Sequence, residues 1–163
     1  YWTGIRVGEL LALTAGDFDF KNNMLTINKS YQRLHGEDVI TTPKTEKSNR
    51  TIKMPQFLCD EMQEYLKMFY SPNDNDRIFP ISKSYLHHEM DRGSKAASVK
   101  RIRIHDLRHS HVSLLINQGY QAAAIADRVG HETVEITDRY THIYPSKQNE
   151  MANTLDELWK ERK

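Results

Sequence analysis

A single cysteine, Cys59, in 163 residues excludes an internal disulfide framework, and its setting in Phe57-Leu58-Cys59 reads as a buried helical position with a reduced thiol. No apolar run is long enough to span a bilayer, and no basic-then-apolar leader ends in small residues. Neither membrane insertion nor export is indicated, so a cytoplasmic protein is expected. Net charge is almost missing too: 23 Lys and Arg offset 22 Asp and Glu to leave +1. Any electrostatic function must therefore lie in where the charges sit. Internal repeats and low-complexity tracts are absent, and the length suits one domain with a real core and no second complete domain.

The charges are segregated along the chain. Basic residues gather at Lys44, Lys47, Arg50 and Lys53, and again at Arg92, Lys95, Lys100, Arg101, Arg103 and Arg108. Acids gather at Glu61 to Glu64, Asp74 to Asp76 and Asp156 to Glu161, so a basic and an acidic face are expected. Tyr1-Trp2-Thr3 reads as the middle of a helix without cap or initiating methionine, which predicts a fragment truncated at its N-terminus. Ile5, Val7, Leu10, Leu11 and Leu13 then make an apolar helical face, with Arg6 and Glu9 sharing the other side at i, i+3, where Glu9 can orient Arg6.

From Met24 the pattern changes to short strands, Met24 to Ile27, Ser30 to Leu34, Val39 to Thr42 and Arg50 to Ile52, with turns at His35 to Asp38 and Thr45 to Asn49. Pro43 and the polar run after it put Lys44 near a mobile hairpin tip. After Pro55 a stripe of Phe57, Leu58, Met62, Tyr65, Leu66 and Phe69 predicts a core-facing helix. Further helices are expected over Ser82 to about Ala97, Ile104 to Asn117 closed by Gly119, Gln121 to Val129 ended by Gly130, and Val134 to His142 carrying Tyr140. Pro145 breaks the last of these, and Ser146 can cap a tail helix over 146–163 with Met151, Leu155, Leu158 and Trp159 on one stripe. The class is α+β: mainly α-helical, with a small antiparallel β-sheet of three or more strands on one side.

Within this frame the chemistry-bearing residues fall in a fixed order: Thr3-Gly4-Ile5-Arg6-Val7-Gly8-Glu9, Lys44, His105-Asp106-Leu107-Arg108, Gly130-His131 and Arg139-Tyr140-Thr141-His142. The set suits a phosphate clamp with a tyrosine nucleophile. Arg6 and Arg108 are guanidinium forks able to bind two nonbridging phosphate oxygens, charged at any working pH. With a lysine and two histidines they can donate hydrogen bonds to a pentacoordinate phosphoryl transition state without a metal. His105 starts the helix that presents Arg108 one turn later, so both can face one phosphate, with His105 as base or proton relay. His131 sits just past a helix end as a second donor. His109 and His111 read as structural or solvent-facing. Tyr140, with an ordinary pKa of about 10, needs its proton removed as it attacks and its phenolate stabilised by the cations. The same phenolate is a competent leaving group, which makes a phosphotyrosyl link reversible.

The order and spacing resemble the catalytic domain of the tyrosine recombinases, and within them phage and conjugative-transposon integrases, from Thr3 to about His142. The resemblance implies a metal-independent, cofactor-free strand transferase acting on double-stranded DNA recombination sites through a 3′-phosphotyrosyl intermediate, to integrate or excise mobile DNA. It makes Lys44 the general acid for the departing 5′ oxygen, with Lys47 and Lys53 as competing candidates, and selects Tyr140 rather than Tyr144 as nucleophile. Glu9 and His142 become supporting residues, and Lys47, Lys95, Lys100, Arg101 and Arg103 candidate DNA contacts. A homotetramer on DNA is implied, with a monomer allowed for a free fragment. The tail helix is expected to dock on a neighbouring protomer, with an ordinary closing helix as the alternative. Upstream DNA-clamping and arm-binding domains, and the first helix or two of the catalytic domain, are expected to be missing.

Three rivals remain. A zinc hydrolase would use His105 and His109 at i, i+4, but no glutamate sits between them and Arg108 would repel a dication. A noncatalytic DNA-binding fragment would use the same basic surface only to hold phosphates. A type IB topoisomerase-like strand transferase would share the chemistry without joining two DNA segments.

Overall fold

The chain enters through a turn. In the computed structural model, which describes residues 1–43, 45–69, 75–138, 140 and 148–160, Gly4 N donates to Tyr1 O at 3.1 Å and Gly4 takes φ +66°. That left-handed residue cannot continue a helix, so the helical reading of Tyr1 to Thr3 is corrected. The first helix, α1, covers only Val7–Ala12, and Arg6 is its N-cap in extended backbone. Glu9, at the third helical position, accepts from Arg6 N at 2.8 Å. This is the return half of a capping box.

A 3-10 turn at Ala15–Asp17 leads into β1 (Phe18–Asp19), β2 (Met24–Ile27), β3 (Ser30–Leu34), β4 (Glu37–Thr41) and β5 (Arg50–Lys53), with a second 3-10 turn at Glu46–Ser48. The strands form two sheets rather than one: antiparallel β1-β2-β5, and the hairpin β3-β4. Glu37 and Asp38 belong to β4 and not to the expected turn. His35 and Gly36, both at positive φ (51° and 88°), suffice for the reversal between paired Leu34 and Glu37. In the three-stranded sheet Leu25 faces Ile52 and Ile27 faces Arg50. Leu25, Ile27 and Ile52 are buried, and the period of two puts Arg50 on the same inward face as Ile52.

Helices follow as α2 (Gln56–Lys67), α3 (Lys83–Ala96), α4 (Ile104–Asn117), α5 (Ala122–Val129), α6 (Val134–Asp138) and α7 (Gln148–Lys160). The main core joins Leu13, Leu25, Ile27, Ile52, Met54, Cys59 and Ile78, with Leu58, Met62, Tyr65 and Leu66 of α2 packed against it. Phe57 departs from the expected stripe: it is 44 % exposed, on the flank of α2, its ring edge-on to Trp2 at 5.3 Å. A second cluster, Leu11, Ala12 and Tyr31, joins α1 to β3, and a third, Val112, Ile125 and Val129, joins α4 to α5.

The ends of α4 and α5 are built alike. Gly119 N donates to Ile116 O and Tyr120 N to Leu115 O; Gly130 N donates to Asp127 O and His131 N to Ala126 O. Both glycines are left-handed, at φ 87° and 69°. Gly130 is also tightly enclosed, because a Cβ there would lie 2.9 Å from Lys47 O and 2.9 Å from Arg50 Nη1. Gly130→Ala should therefore cost about 1–3 kcal/mol. Denaturant unfolding at pH 7 checks this, and unchanged stability would show that neither the φ nor the enclosure constrains the site.

Candidate active site

Three arginines from three distant elements meet at the C-terminal end of α5. Arg50 Nε donates to Arg128 O at 2.9 Å, Arg108 Nη2 to Val129 O at 2.7 Å, and Arg6 Nη2 to Gly130 O at 2.7 Å. The helix end is a natural cation receptor, since its last carbonyls lack intrahelical donors and carry the negative pole of the helix dipole. The guanidinium of Arg108, which is only 4 % exposed, is further tied by Nη1 to Gly4 O at 2.7 Å.

A single buried carboxylate holds two of the three. Glu9 receives Arg50 in a fork, Nη1 to Oε1 at 3.0 Å and Nη2 to Oε2 at 2.9 Å, and receives Arg6 Nη1 at 2.8 Å. The expected orientation of Arg6 by Glu9 is therefore present. Burial alone would raise the Glu9 carboxyl, but its bonds from Arg50 and Arg6 outweigh burial and hold it below its ordinary value of 4.5. With three guanidiniums and one carboxylate, the cluster keeps an excess of positive charge. Burial and the neighbouring Arg6 bring the Arg108 guanidinium down to about 9, still cationic at pH 7.

Arg50 is a site residue that its place in a run of basic residues does not single out. Its signal was the strand alternation: a charge in register with Ile52 on an inward face must find a partner or stay out of the fold. A cleft of about 360 Å³ opens on this cluster, lined by Arg6, Glu9, Gln32, Thr42, Ser48 and His131 among others. His131 Nδ1 is 2.9 Å from the hydroxyl of fully buried Thr137. Burial, then Arg108 and Arg6, lowers His131 to about 4, so the ring is neutral at pH 7.

Tyr140 lies in a turn past α6, its N–H donating to Thr137 O at 3.0 Å, so the expected helix through it is shorter than predicted. Its phenol hydrogen-bonds Nδ1 of His109 and lines a separate cavity with Asp106, His109, Ser110 and Ser113. Of the two roles the sequence leaves to His109, structural or solvent-facing, this hydrogen bond favours the first. His105 is exposed and meets His109 edge to face, with centroids 4.6 Å apart. Burial, and after it the neighbouring His109, Arg108 and Arg6, lower its pKa. His111, in contrast, is buried and structural: its Nε2 receives Arg128 Nε at 3.3 Å.

Lys44 and His142 lie outside the described residues. Lys47 Nζ donates to Glu132 O at 2.7 Å. Arg101 pairs with Asp91 at 2.7 Å and Arg103 with Asp106 at 2.9 Å, both at the surface, while Lys95 and Lys100 are exposed. Among the described residues no group of three or more His, Cys, Asp or Glu stands together to hold a metal ion, and no helix is long and apolar enough to cross a membrane.

The model of the phage integrase family matches residues 1–147. The chain is 38% identical over 172 residues to the ICEBs1 integrase of Bacillus subtilis (strain 168), covering 97% of this chain and 47% of that protein. It is 32% identical over 174 residues to the integrase of Staphylococcus phage L54a, covering 96% and 49%. The chain thus spans about half the length of these relatives. Its fold is that of the Tn1549 transposon integrase solved in complex with a circular intermediate DNA: TM-score 0.74, 21% identity, 96% of this chain and 55% of that one. The XerA recombinase structure matches with TM-score 0.70 and 25% identity, over 94% and 52%.

Removing the carboxylate tests the cluster. Glu9→Gln leaves Arg50 buried without its counter-charge and should cost about 3 kcal/mol at pH 7. Because the folded-state pKa of Glu9 lies below 4.5, its contribution is complete above that pH and is lost as pH falls through the depressed value. Denaturant unfolding should therefore show the gap between the parent and Glu9→Gln closing below about pH 4. An equal gap at pH 7 and pH 3 would mean that shape rather than charge sets it.

Proposed function

The chain belongs to the phage integrase family, and we propose that it is the catalytic part of a site-specific DNA recombinase that cleaves and rejoins strands through a 3′-phosphotyrosyl intermediate. The observation that supports this most is the convergence of Arg6, Arg50 and Arg108 on the end of α5, beside a neutral His131 and within electrostatic reach of Tyr140. A guanidinium has five N–H groups. Each carbonyl or carboxylate bond uses one, so Arg6 and Arg108 retain donors for the nonbridging oxygens of a scissile phosphate.

In this reading Arg6 and Arg108 clamp the phosphate, and Glu9 and Arg50 fix the clamp. With the Thr137 hydroxyl donating to Nδ1, neutral His131 presents Nε2–H to a phosphate oxygen. Tyr140 attacks phosphorus, and Lys44 gives a proton to the departing 5′ oxygen. His105 serves as a base or proton relay beside the phosphate, and His142 supports the nucleophile's side. Attack by a free 5′ hydroxyl on the phosphotyrosyl link then reseals DNA without another energy source, because each bond broken is replaced by one of the same kind. The cations give stabilisation of the same order as an oxyanion hole, about 10²- to 10³-fold per donor.

The partner is double-stranded DNA bearing recombination sites, held at the backbone by Lys47, Lys95, Lys100, Arg101 and Arg103, which position the duplex without reading its bases. Arg101 and Arg103 would exchange their surface carboxylates for phosphates. A homotetramer on two sites is the working assembly, with the tail helix docking in trans. Leu155 and Leu158 of α7, 66 % and 52 % exposed, are consistent with an apolar face offered to a neighbour.

A nicked suicide duplex carrying the recombination site, incubated in EDTA, should yield a denaturation-resistant adduct whose peptide maps to Tyr140. Tyr140→Phe should bind the duplex normally and give no adduct. Arg108→Ala should slow adduct formation by at least about a hundredfold while retaining weak binding. Cleavage by Tyr140→Phe, or cleavage only with added metal, would overturn the assignment; binding without any adduct would favour a noncatalytic DNA-binding role.

A further inference from the structure

His109 is the residue that the structure adds to the nucleophile. The Tyr140 hydroxyl is hydrogen-bonded to His109 Nδ1, and the two rings lie 5.5 Å apart at 34°. Both side chains are half-buried. The phenol rests against the Val112, Ile125 and Val129 cluster together with Ile116. Val112, a member of that cluster, follows His109 on α4 at i+3, so the two lie at neighbouring positions of one helical face. His109 also follows Arg108 directly in the chain, so the same turn of α4 carries a phosphate ligand and a group on the nucleophile.

We infer that His109 is the proton acceptor for Tyr140, a catalytic role that rests on the strand-transfer reading above. A phenol at neutral pH is almost wholly protonated. Attack therefore needs a base within hydrogen-bond reach of the phenolic oxygen, and His109 Nδ1 occupies that place. As the Oη–P bond forms, the Oη–H bond breaks and its proton passes to Nδ1, giving an imidazolium. The P–O5′ bond breaks, and its oxygen takes a proton from the Lys44 ammonium. In the reverse direction the imidazolium returns the proton to the departing phenolate. His105, edge-on to His109 at 4.6 Å, acts through that ring as a positioning residue.

The test compares two tyrosines. His109→Asn keeps an acceptor oxygen near the position of Nδ1 but cannot take the proton. On a nicked suicide duplex it should form adduct about a hundredfold more slowly, with DNA affinity unchanged. With Tyr140 replaced by trifluorotyrosine, which ionises near neutrality and needs no base, the same substitution should cost less than about tenfold. An equal loss with both tyrosines, or full-rate cleavage by His109→Asn, would overturn the inference while leaving Tyr140 as nucleophile. Absence of any adduct from the unsubstituted protein bound to its site would remove the strand-transfer reading and the inference with it. Independently of any variant, 15N NMR of the histidines should find Nδ1 of His109 unprotonated, and an Nδ1–H there would overturn the inference.

Discussion

The interaction on which the site depends is the capture of three guanidiniums by three successive carbonyls, Arg128 O, Val129 O and Gly130 O, at the end of α5. The arginines come from the cap of α1, from β5 and from α4, elements with no shared sheet or hairpin. Mutual repulsion of three cations in a partly buried space would scatter them without a counter-pole. The helix end supplies a fractional negative charge and the Glu9 carboxylate a full one. Together they neutralise only part of the charge, leaving a surplus that an arriving phosphate can compensate. The left-handed Gly130 turns the chain so that its carbonyl reaches Arg6 while Lys47 O and Arg50 close over its α-carbon.

That surplus also adds to the effect of burial on the imidazoles. His131, His105 and His111 are all held below their ordinary pKa, first by burial and then by charged neighbours, Arg108 among them in each case. They are neutral where the arginines are charged, so each retains one acceptor and one donor nitrogen. In His111 the acceptor is identified by its partner: an arginine N–H can only donate, so Nε2 accepts and the proton sits on Nδ1. A ring that is neutral by environment can pass a proton, whereas an imidazolium could only donate. In the proposed reaction burial and the arginine cluster together would favour proton transfer as well as anion binding.

Much of this was legible in the sequence because the signals were local. Helix α4 over Ile104–Asn117, its closure by Gly119, the end of α5 at Gly130 and the pairing of Arg6 with Glu9 follow from periodicity, left-handed glycines and i, i+3 reach. What the sequence concealed was set by tertiary contact. Arg50 looked like one base in a basic run, and its inward direction emerges only once β5 is paired with β2 in a register that puts it opposite Ile27. His109 reads only as structural or solvent-facing, because its partner lies 31 positions away in a turn where periodicity predicts helix. The two sheets read as one because the four legible strands follow one another closely, and which of them pair is set by tertiary contact.

The placement of Arg108 and His109 at adjacent positions of α4 carries a mechanistic consequence. Consecutive residues on a helix point about 100° apart, so their side chains reach different surroundings while their backbones move as one body. Arg108 faces the carbonyls of Gly4 and Val129, and His109 faces the phenol of Tyr140. In the proposed reaction, a phosphate drawn to Arg108 would therefore be referenced to the same rigid turn that references the nucleophile's oxygen. The Tyr140 ring packs against the Val112, Ile125 and Val129 cluster, which joins α4 to α5. An in-line attack tolerates errors of less than about an ångström. Mounting both groups on one helical turn meets that tolerance with fewer independent contacts than two separate loops would need.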